Sequence, residues 1–470
     1  MKKRRMKFGN IFSIILIVLV VLGLFNIYKL NVLPLVYYII LFVGVLFFLF
    51  LLILMMHSKR GILRFLGEIL TFGVIMISIM GIDYEAKTLS LLQGFGLNNY
   101  KTENYNIVVL KESCINTLKE LDNKKIGHLD ANLHVGLSKA IDKLSQNIEF
   151  KSVAMDDINE LTQNLKVEKV DAIVLEDARM DILKEENPQE YETLKVIDSI
   201  KVRIKMAKLG KAVDVTKDPF NIYISGIDTY GNITKVSRSD VNMLVSLNPS
   251  KGKILLTNIP RDYYVKLHTY KQYDKLTHAG IYGINESMQT IEDLLDTKIN
   301  YYLKVNFTTL VSVVDALGGI DVVSNYAFTS QDGYTYKKGV NHLDGKKALS
   351  FARERKAFSA GDRVRGENQQ LVLTSIIDKL SSIKAFSEYT HLLDAVDGEF
   401  MTNLSDKDIT SFIKEVIKSG KGFEVASSNL AGTNSYEYTY SYKKNKLYVM
   451  KPSLESINNA QEKINNILIK

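Results

Sequence analysis

Three long apolar runs open the chain. Residues 11–28 and 30–56 carry no charged side chain, and 62–82 carries only Arg64 and Glu68, one helical turn apart. Each run is about as long as a helix needs to cross a bilayer. The first two lack the polar face of a surface helix. A cleaved signal peptide does not fit either, because no small-residue cleavage site precedes the later runs. The pattern predicts three transmembrane helices at about 11–28, 33–56 and 62–82. From 105 to 200 short apolar runs alternate with amphipathic ones. Residues 107–110, 125–129, 150–154 and 172–175 read as strands; 136–144 reads as a helix, as does the stretch INELTQNL with Asp156 as its cap. This alternation predicts a small α/β domain with a mostly parallel sheet. The Lys-rich segment 201–217 reads as a linker.

A second α/β pattern follows. Strands are predicted at 221–228, 241–247, 254–259 and 301–307, an amphipathic helix at 284–295, and a strongly apolar helix at 307–317 that stops at Gly318 and Gly319. That apolar helix is either ordinary core or the wall of an apolar binding surface. Ser405, with Asp408 three residues on, reads as a helix start and Gly420 as its stop. Residues 436–450 alternate like an edge strand, and the chain beyond Ser453 is helix-like. The division is then 1–97 as membrane anchor, 98–217 as an accessory α/β domain, and 218–470 as the main α/β domain with a C-terminal extension.

Charge changes the picture in one respect. The chain has 470 residues and a formal net charge of +8, which could suit nucleic acid. The distribution argues for a membrane instead. Lys2, Lys3, Arg4, Arg5 and Lys7 precede the first run, Lys59, Arg60 and Arg64 lie between the second and third, and only Lys29 separates the first two. By the positive-inside bias the N-terminus is cytoplasmic and everything after residue 82 lies outside. The single cysteine, Cys114, allows no internal disulfide. An external catalytic domain lacks cytosolic ATP, so its substrate should carry its own activated bond.

Candidate chemistry gathers in LDGKKALSFARERKAFSAGDRVRGENQQ, residues 343–370. Arg353 and Arg355 are two apart, so in extended chain they project to one side. Asp362, Arg365 and Gln369 recur at helical spacing and share a face. Guanidinium forks match phosphate oxygens bidentately, and Arg is used here although Lys is common elsewhere. A solvated basic surface is the plainer reading. Earlier, Asp228 and Arg261 follow predicted strands, and Arg238 and Asp240 sit in a loop entering the next strand. Ligands of open α/β sheets gather at such strand ends. Two carboxylates near arginines suit Mg²⁺ or Mn²⁺ holding a diphosphate; alternatively they are turn and cap residues. In the first outside domain His128 and His134 lack a ligand set and read as surface or core residues.

The ordered motifs GIDTYG, SRSD, NIPRD, KLTHAGIYG, VDALGGIDV and LDGKKALSFARER…GDRVRGENQQ resemble the LytR-CpsA-Psr family of Gram-positive bacteria. The preceding spans and accessory domain are similar to its CpsA-type capsule branch. The resemblance implies an α-β-α sandwich catalytic domain that binds a polyprenyl (pyro)phosphate-linked glycan and a divalent metal. It implies a phosphotransferase that moves a capsular polysaccharide or other anionic wall polymer to peptidoglycan through a phosphodiester, with capsule-synthesis membrane proteins as further partners. By position, Asp228 and Asp240 match the metal-associated aspartates. Arg238, Arg261, Arg353, Arg355 and Arg365 match the phosphate-binding arginines, with Gln369 beside them and Asp362 as the acidic member. Asn368 stands where many members have arginine, and Phe351 where tyrosine is common. A polyprenyl-diphosphate phosphatase and a non-enzymatic membrane regulator that senses lipid-linked glycan are the alternative readings.

The cation asymmetry generates a test. A reporter active only outside the cytoplasm is expected to be active when fused after Lys217 and silent when fused at Lys59. Activity at Lys59 would invert the topology.

Overall fold

The computed structural model describes residues 2–30, 35–95, 100–131, 134–207, 210–382, 392, 396, 398–420 and 422–469. The chain forms two compact units: Met1–Gly96 with Leu380–Asp397 and Ser405–Gly422, and Leu97–Lys379 with Gly398–Leu404 and Phe423–Lys470. The 97/98 boundary, the start of the second span at 33 and most of 383–397 lie outside the described residues.

In the first unit, helices run over Lys2–Leu30, Leu35–Met56 and Gly61–Phe95. Leu35–Met56 and Gly61–Ile79 are long and apolar enough to cross a membrane, while the apolar helix Phe12–Tyr28 is shorter. Leu16, Leu49, Leu52 and Ile75 pack together and leave most other apolar side chains on these helices exposed. The helix Asp406–Ser419 starts at Ser405 through a capping box with Asp408 and stops at Gly420 in the left-handed region, as its sequence predicts. It packs on Gly61–Phe95, within the first compact unit. Its amphipathic face finds its partner on an N-terminal helix.

The second unit contains two sheets. The first has the order Phe150–Met155, Lys124–Leu129, Ala172–Glu176, Tyr100–Leu110, Leu194–Lys205. Its first two pairings are parallel and its last two antiparallel, so the mostly parallel sheet is corrected to a mixed one. The cause is Leu194–Lys205, which runs back along Tyr100–Leu110. Its many lysines, facing water on an edge, disguised part of it as linker. Asp157, one residue after the expected Asp156, caps the helix Ile158–Lys166 by accepting from Asn159 N and Glu160 N. His128 is buried and bonded to Leu129 O and Ser152 Oγ, a core histidine.

The second sheet has the order Met401–Thr402, Tyr301–Val305, Phe220–Gly226, Val241–Asn248, Lys253–Asn258, Glu424–Asn429. Tyr223, Leu244 and Leu255 face a core shared with helices Ile284–Leu295 and Leu454–Leu468. Alternation sends Met243, Val245, Ile254 and Leu256, also buried, to the other face. Over that face lies Gly361–Ser381, where Gln370 Nε2 donates to both Leu256 O (2.9 Å) and Ser428 O (2.8 Å). The expected α-β-α sandwich is present. Residues 436–450 are not one edge strand; Gly432–Glu437 and Leu447–Pro452 pair as a hairpin around a loop. The two sheets share apolar packing, since Ile281, Tyr442 and Leu447 join the core of the first. Buried Arg179 pairs with Glu176 (3.3 Å) and lies 5.6 Å over the Tyr282 ring.

Lys304, on the strand Tyr301–Val305, is buried and donates to Lys235 O at 2.6 Å. Burial, with Lys101 adding to it, pushes its ammonium from the ordinary 10.5 down to about 7. The unfolded chain holds that proton below about pH 10.5, and the folded chain only below about 7. Stability therefore rises with pH across that window and the full penalty applies below it. Lys304→Met is expected to flatten the slope and to stabilise the chain at pH 7 by roughly 1–3 kcal/mol. Thermal unfolding midpoints between pH 7 and 10 check this; an unchanged slope would refute it.

Candidate functional site

Two strand-following loops and one helix pair build the site. Asp228 lies just beyond Phe220–Gly226, Asp240 just before Val241–Asn248, and Arg261 just beyond Lys253–Asn258. Arg261 Nη1 donates to Asp240 Oδ1 at 2.8 Å, and both side chains are nearly buried, 15% and 10% exposed. Arg261 Nε lies 3.6 Å from Asp262 Oδ2 and 3.9 Å from Asp362 Oδ1. Arg365 Nη2 reaches Asp362 Oδ1 at 2.7 Å, one turn along the helix Gly361–Ser381.

The arginine segment folds as its pattern predicts. Asp344 caps the helix Gly345–Arg353 by accepting from Lys347 N. Glu354 then turns extended (φ −65°, ψ 128°) and is buried. Its carboxylate accepts from Gln331 N at 2.7 Å and Ala357 N at 2.9 Å. With Glu354 held inward, Arg353 and Arg355 both face out. Arg353 Nη2 lies 3.4 Å from Asp228 Oδ1, and its guanidinium sits 4.2 Å over the Phe307 ring. Arg355 has no carboxylate within ion-pair range among the described residues, but its charge is felt at Arg365. Gln369 Nε2 donates to Ala352 O at 3.4 Å. Arg238 is drawn the other way, into an ion pair with Glu185 of the helix Asp177–Glu186, yet still acts on Asp240.

Charge is unevenly matched here. Burial pushes the Asp228 carboxyl up; Arg353 opposes this and Asp240 adds to it. Burial also works against Asp240, but Arg261 and Arg238 outweigh it and hold that carboxyl below the usual range. Burial lowers Arg365; Asp362 and Asp240 support its charge, while Arg261 and Arg355 oppose it. Arg261 Nε is also buried without a hydrogen-bond acceptor.

The donor set fits a divalent cation of limited kind. Among the described residues no three His, Cys, Asp or Glu cluster as metal ligands. Asp228 and Asp240 feel one another's charge. Mg²⁺ characteristically takes one or two carboxylates and completes its shell with phosphate oxygens and water. The pair therefore suits a cation that arrives with a diphosphate.

Several supporting residues escaped the sequence reading. Glu354 was signalled only by its place between two outward arginines. The KLTHAGIYG stretch drew no role, yet Lys275 bridges Glu186 (3.2 Å) and Asp262 (3.6 Å). Buried His278 bonds Asp274 at 2.6 Å. A Cβ on Gly280 would stand 2.7 Å from both Ser237 O and Ser239 N, so only glycine lets this helix press on the loop that holds Arg238 and Asp240. Beside the arginines, the helix Phe307–Ala316 buries only Thr309 and Val314. Leu310, Val311 and Val313 stay half-buried, and Phe307 meets exposed Tyr230 edge-on at 5.1 Å. An apolar surface thus adjoins the cations.

The sequence profile of the LytR_cpsA_psr family matches residues 184–463, more than half of the chain. The chain belongs to the LytR_cpsA_psr family. It is similar to the Enterococcus faecalis polyisoprenyl-teichoic acid–peptidoglycan teichoic acid transferase TagU, 33% identical over 54% of this chain and 84% of that protein. The Bacillus subtilis protein of the same name is 33% identical over 52% of this chain and 78% of its own. The crystal structure of B. subtilis TagU aligns with 54% of this chain and 98% of that one, at 29% identity and a TM-score of 0.43. Where this LytR_cpsA_psr chain departs from the common pattern, Asn368 is buried and donates to Phe351 O at 3.2 Å, a structural tie between the two arginine-bearing helices. Phe351 packs on Phe328 and Tyr336 in an aromatic cluster.

Glu354→Ala leaves two backbone N–H groups without their acceptor. The expected cost is about 1–3 kcal/mol, with amide exchange around Arg353–Arg355 accelerated and the sheet amides unaffected. Protected amides in the variant would remove Glu354 from this role.

Proposed function

We propose that this chain is a membrane-anchored transferase that moves a glycan polymer from polyprenyl diphosphate to peptidoglycan. The observation that carries the reading is the gathering of Arg261, Arg353 and Arg365 on Asp240, Asp228 and Asp362 at the strand ends, with Arg353 held only by a 3.4 Å contact and Arg355 exposed beside them. A diphosphate supplies the missing anions, and the half-exposed apolar helix Phe307–Ala316 suits the isoprenoid attached to it. The relatives' names give the same chemical class, a polymer on a polyisoprenyl carrier and a peptidoglycan acceptor.

In this reading Arg353, Arg355 and Arg365 bind phosphate oxygens, with Arg261 and Arg238 completing the cradle and Gln369 beside them. Asp362 holds Arg365 and faces Arg261. A sugar hydroxyl attacks the glycan-linked phosphorus; the new O–P bond forms as the bond to the bridging oxygen breaks. Polyprenyl phosphate leaves and takes up the hydroxyl proton. The guanidiniums neutralise charge that moves to the leaving oxygen, so catalysis is mainly positioning and electrostatics. Mg²⁺ or Mn²⁺, held by Asp228 and Asp240, would supply further neutralisation at the same phosphates. The N-terminus lies in the cytoplasm, three helices cross the cell membrane, and the site faces outward; the cation asymmetry supports this. We extend the proposal to a capsular polysaccharide as the polymer, with capsule-synthesis membrane proteins as partners. Its support is the similarity of the spans and accessory domain to the capsule branch.

Glycan attachment to isolated cell wall, at equal protein level, tests the reading. Arg353→Lys or Arg355→Lys keeps the charge but loses the fork, and should cost on the order of 2 kcal/mol in transfer. Lys346→Ala and Lys356→Ala should be near neutral, and chelator should abolish turnover. Equal losses from the lysine and arginine variants would mean a diffuse basic surface; full activity in chelator would remove the metal.

A further inference from the structure

The first sheet's domain touches the phosphate cradle at three places. Thr102, on its strand Tyr100–Leu110, donates from its N–H to Thr234 O at 3.0 Å and accepts from Val236 N at 3.2 Å. Asp177 takes Lys235 Nζ at 3.0 Å. At the other end of the same helix, Asp177–Glu186, Glu185 pairs with Arg238 and Glu186 with Lys275. All but the Lys275 tie fall along residues 234–238, the stretch that leads into Asp240. Lys275, nearly buried, carries the contact onward to Asp262, and Asp262 stands 3.6 Å from Arg261 Nε.

Two consecutive carboxylates close this helix. Acidic side chains in a last helical turn oppose the helix dipole, so local propensity does not explain them. Cations from the neighbouring domain do: Arg238 and Lys275 stand where the turn needs positive charge. A residue that breaks a local rule and is met by a specific long-range partner is serving that partner.

We propose that Glu185 and Glu186 are positioning residues of the phosphate site: the accessory domain orients Arg238 directly and Arg261 through Lys275 and Asp262. The inference rests on the diphosphate reading of that site. Neither carboxylate touches substrate. Glu185 sets which way the Arg238 fork points before phosphate arrives, and Glu186 keeps Lys275 from neutralising Asp262 completely, which leaves Asp262 to share Arg261 with Asp240.

The test uses the full chain in lipid nanodiscs, with farnesyl diphosphate as the binding probe, plus glycan transfer in cells. Glu185→Gln combined with Glu186→Gln is expected to weaken probe binding about tenfold, as for members of one ion-pair network. It should raise KM for lipid-linked glycan more than it lowers kcat. For Glu185→Gln alone the unfolding midpoint should move by no more than about 2 °C, since that carboxylate is 44% exposed and partly exposed pairs contribute little stability. Lys275→Met alone should weaken probe binding, and adding Glu186→Gln to it should do no further harm. Glu185→Asp should recover part of the loss. Wild-type affinity in the double carboxamide variant, with the unmodified chain binding the probe, would overturn the inference alone. Tighter binding would overturn it too, by making the carboxylates competitors of phosphate. A lowered midpoint with additive Lys275→Met and Glu186→Gln effects would reduce the contact to ordinary domain packing. An unmodified chain that does not bind the probe would overturn the diphosphate reading and this inference with it.

Discussion

The nearly buried pair between Arg261 and Asp240 is the constraint on which the site depends. Each side chain is costly to bury without the other, and removing one would leave an uncompensated charge inside the protein. The pair joins the exit of one strand to the entry of its antiparallel neighbour, since Met243 and Asn258 are in register across Val241–Asn248 and Lys253–Asn258. Thr277 stitches the same corner: its N–H donates to Arg261 O at 2.8 Å, its carbonyl accepts from Ser239 N at 3.1 Å, and its hydroxyl reaches Asp240 Oδ1 at 3.3 Å. The short helix over this corner can sit there only because Gly280 has no side chain. The other arginines are placed relative to this fixed point.

Around that pair the charges are arranged to be incomplete. Arg353 has a long contact to Asp228, Arg355 faces solvent, and Arg365 shares Asp362 with Arg261. A structural ion-pair network would tend to saturate each fork, because an unmatched buried donor costs about 1–3 kcal/mol. Here Arg261 Nε is buried without a hydrogen-bond acceptor. Perturbed charges beside an unmatched donor are the arrangement that the proposed phosphate reading calls for. The same incompleteness accounts for the raised Asp228 carboxyl, which a cation arriving with phosphate would relieve.

Much of this was legible in the sequence because it obeys local periodicity. Two-residue spacing put Arg353 and Arg355 on one side, and helical spacing aligned Asp362, Arg365 and Gln369. Strand-to-turn boundaries located Asp228 and Arg261. What failed to show depended on partners far along the chain. Leu194–Lys205 looked like linker because an edge strand facing water carries lysines as a linker does. The helix Asp406–Ser419 has clear caps, yet caps say where a helix begins and not what it packs against. Arg238 matched a phosphate motif, and nothing near it in sequence announced Glu185. Asn368 stood out in the sequence only as a departure from the arginine common in the family; in the structure it is a buried amide that ties one arginine-bearing helix to the other.

Arg353 shows how one residue can serve both halves of an amphiphile. Its guanidinium sits 4.2 Å over the ring of Phe307, the first residue of the half-exposed apolar helix, while Nη2 lies 3.4 Å from Asp228 Oδ1. A guanidinium is weakly hydrated on its faces and donates strongly at its rim. Stacking on an aromatic ring therefore costs it little solvation and keeps the donors aligned. In the proposed reading, the diphosphate takes the rim and the first isoprene units lie along the apolar helix, so the seam between head group and tail falls at this one side chain. An ammonium at the same point would be solvated all round and would pull water into the seam. That is a physical reason for arginine here that is separate from its fork, and it acts on the lipid side of the site rather than the phosphate side.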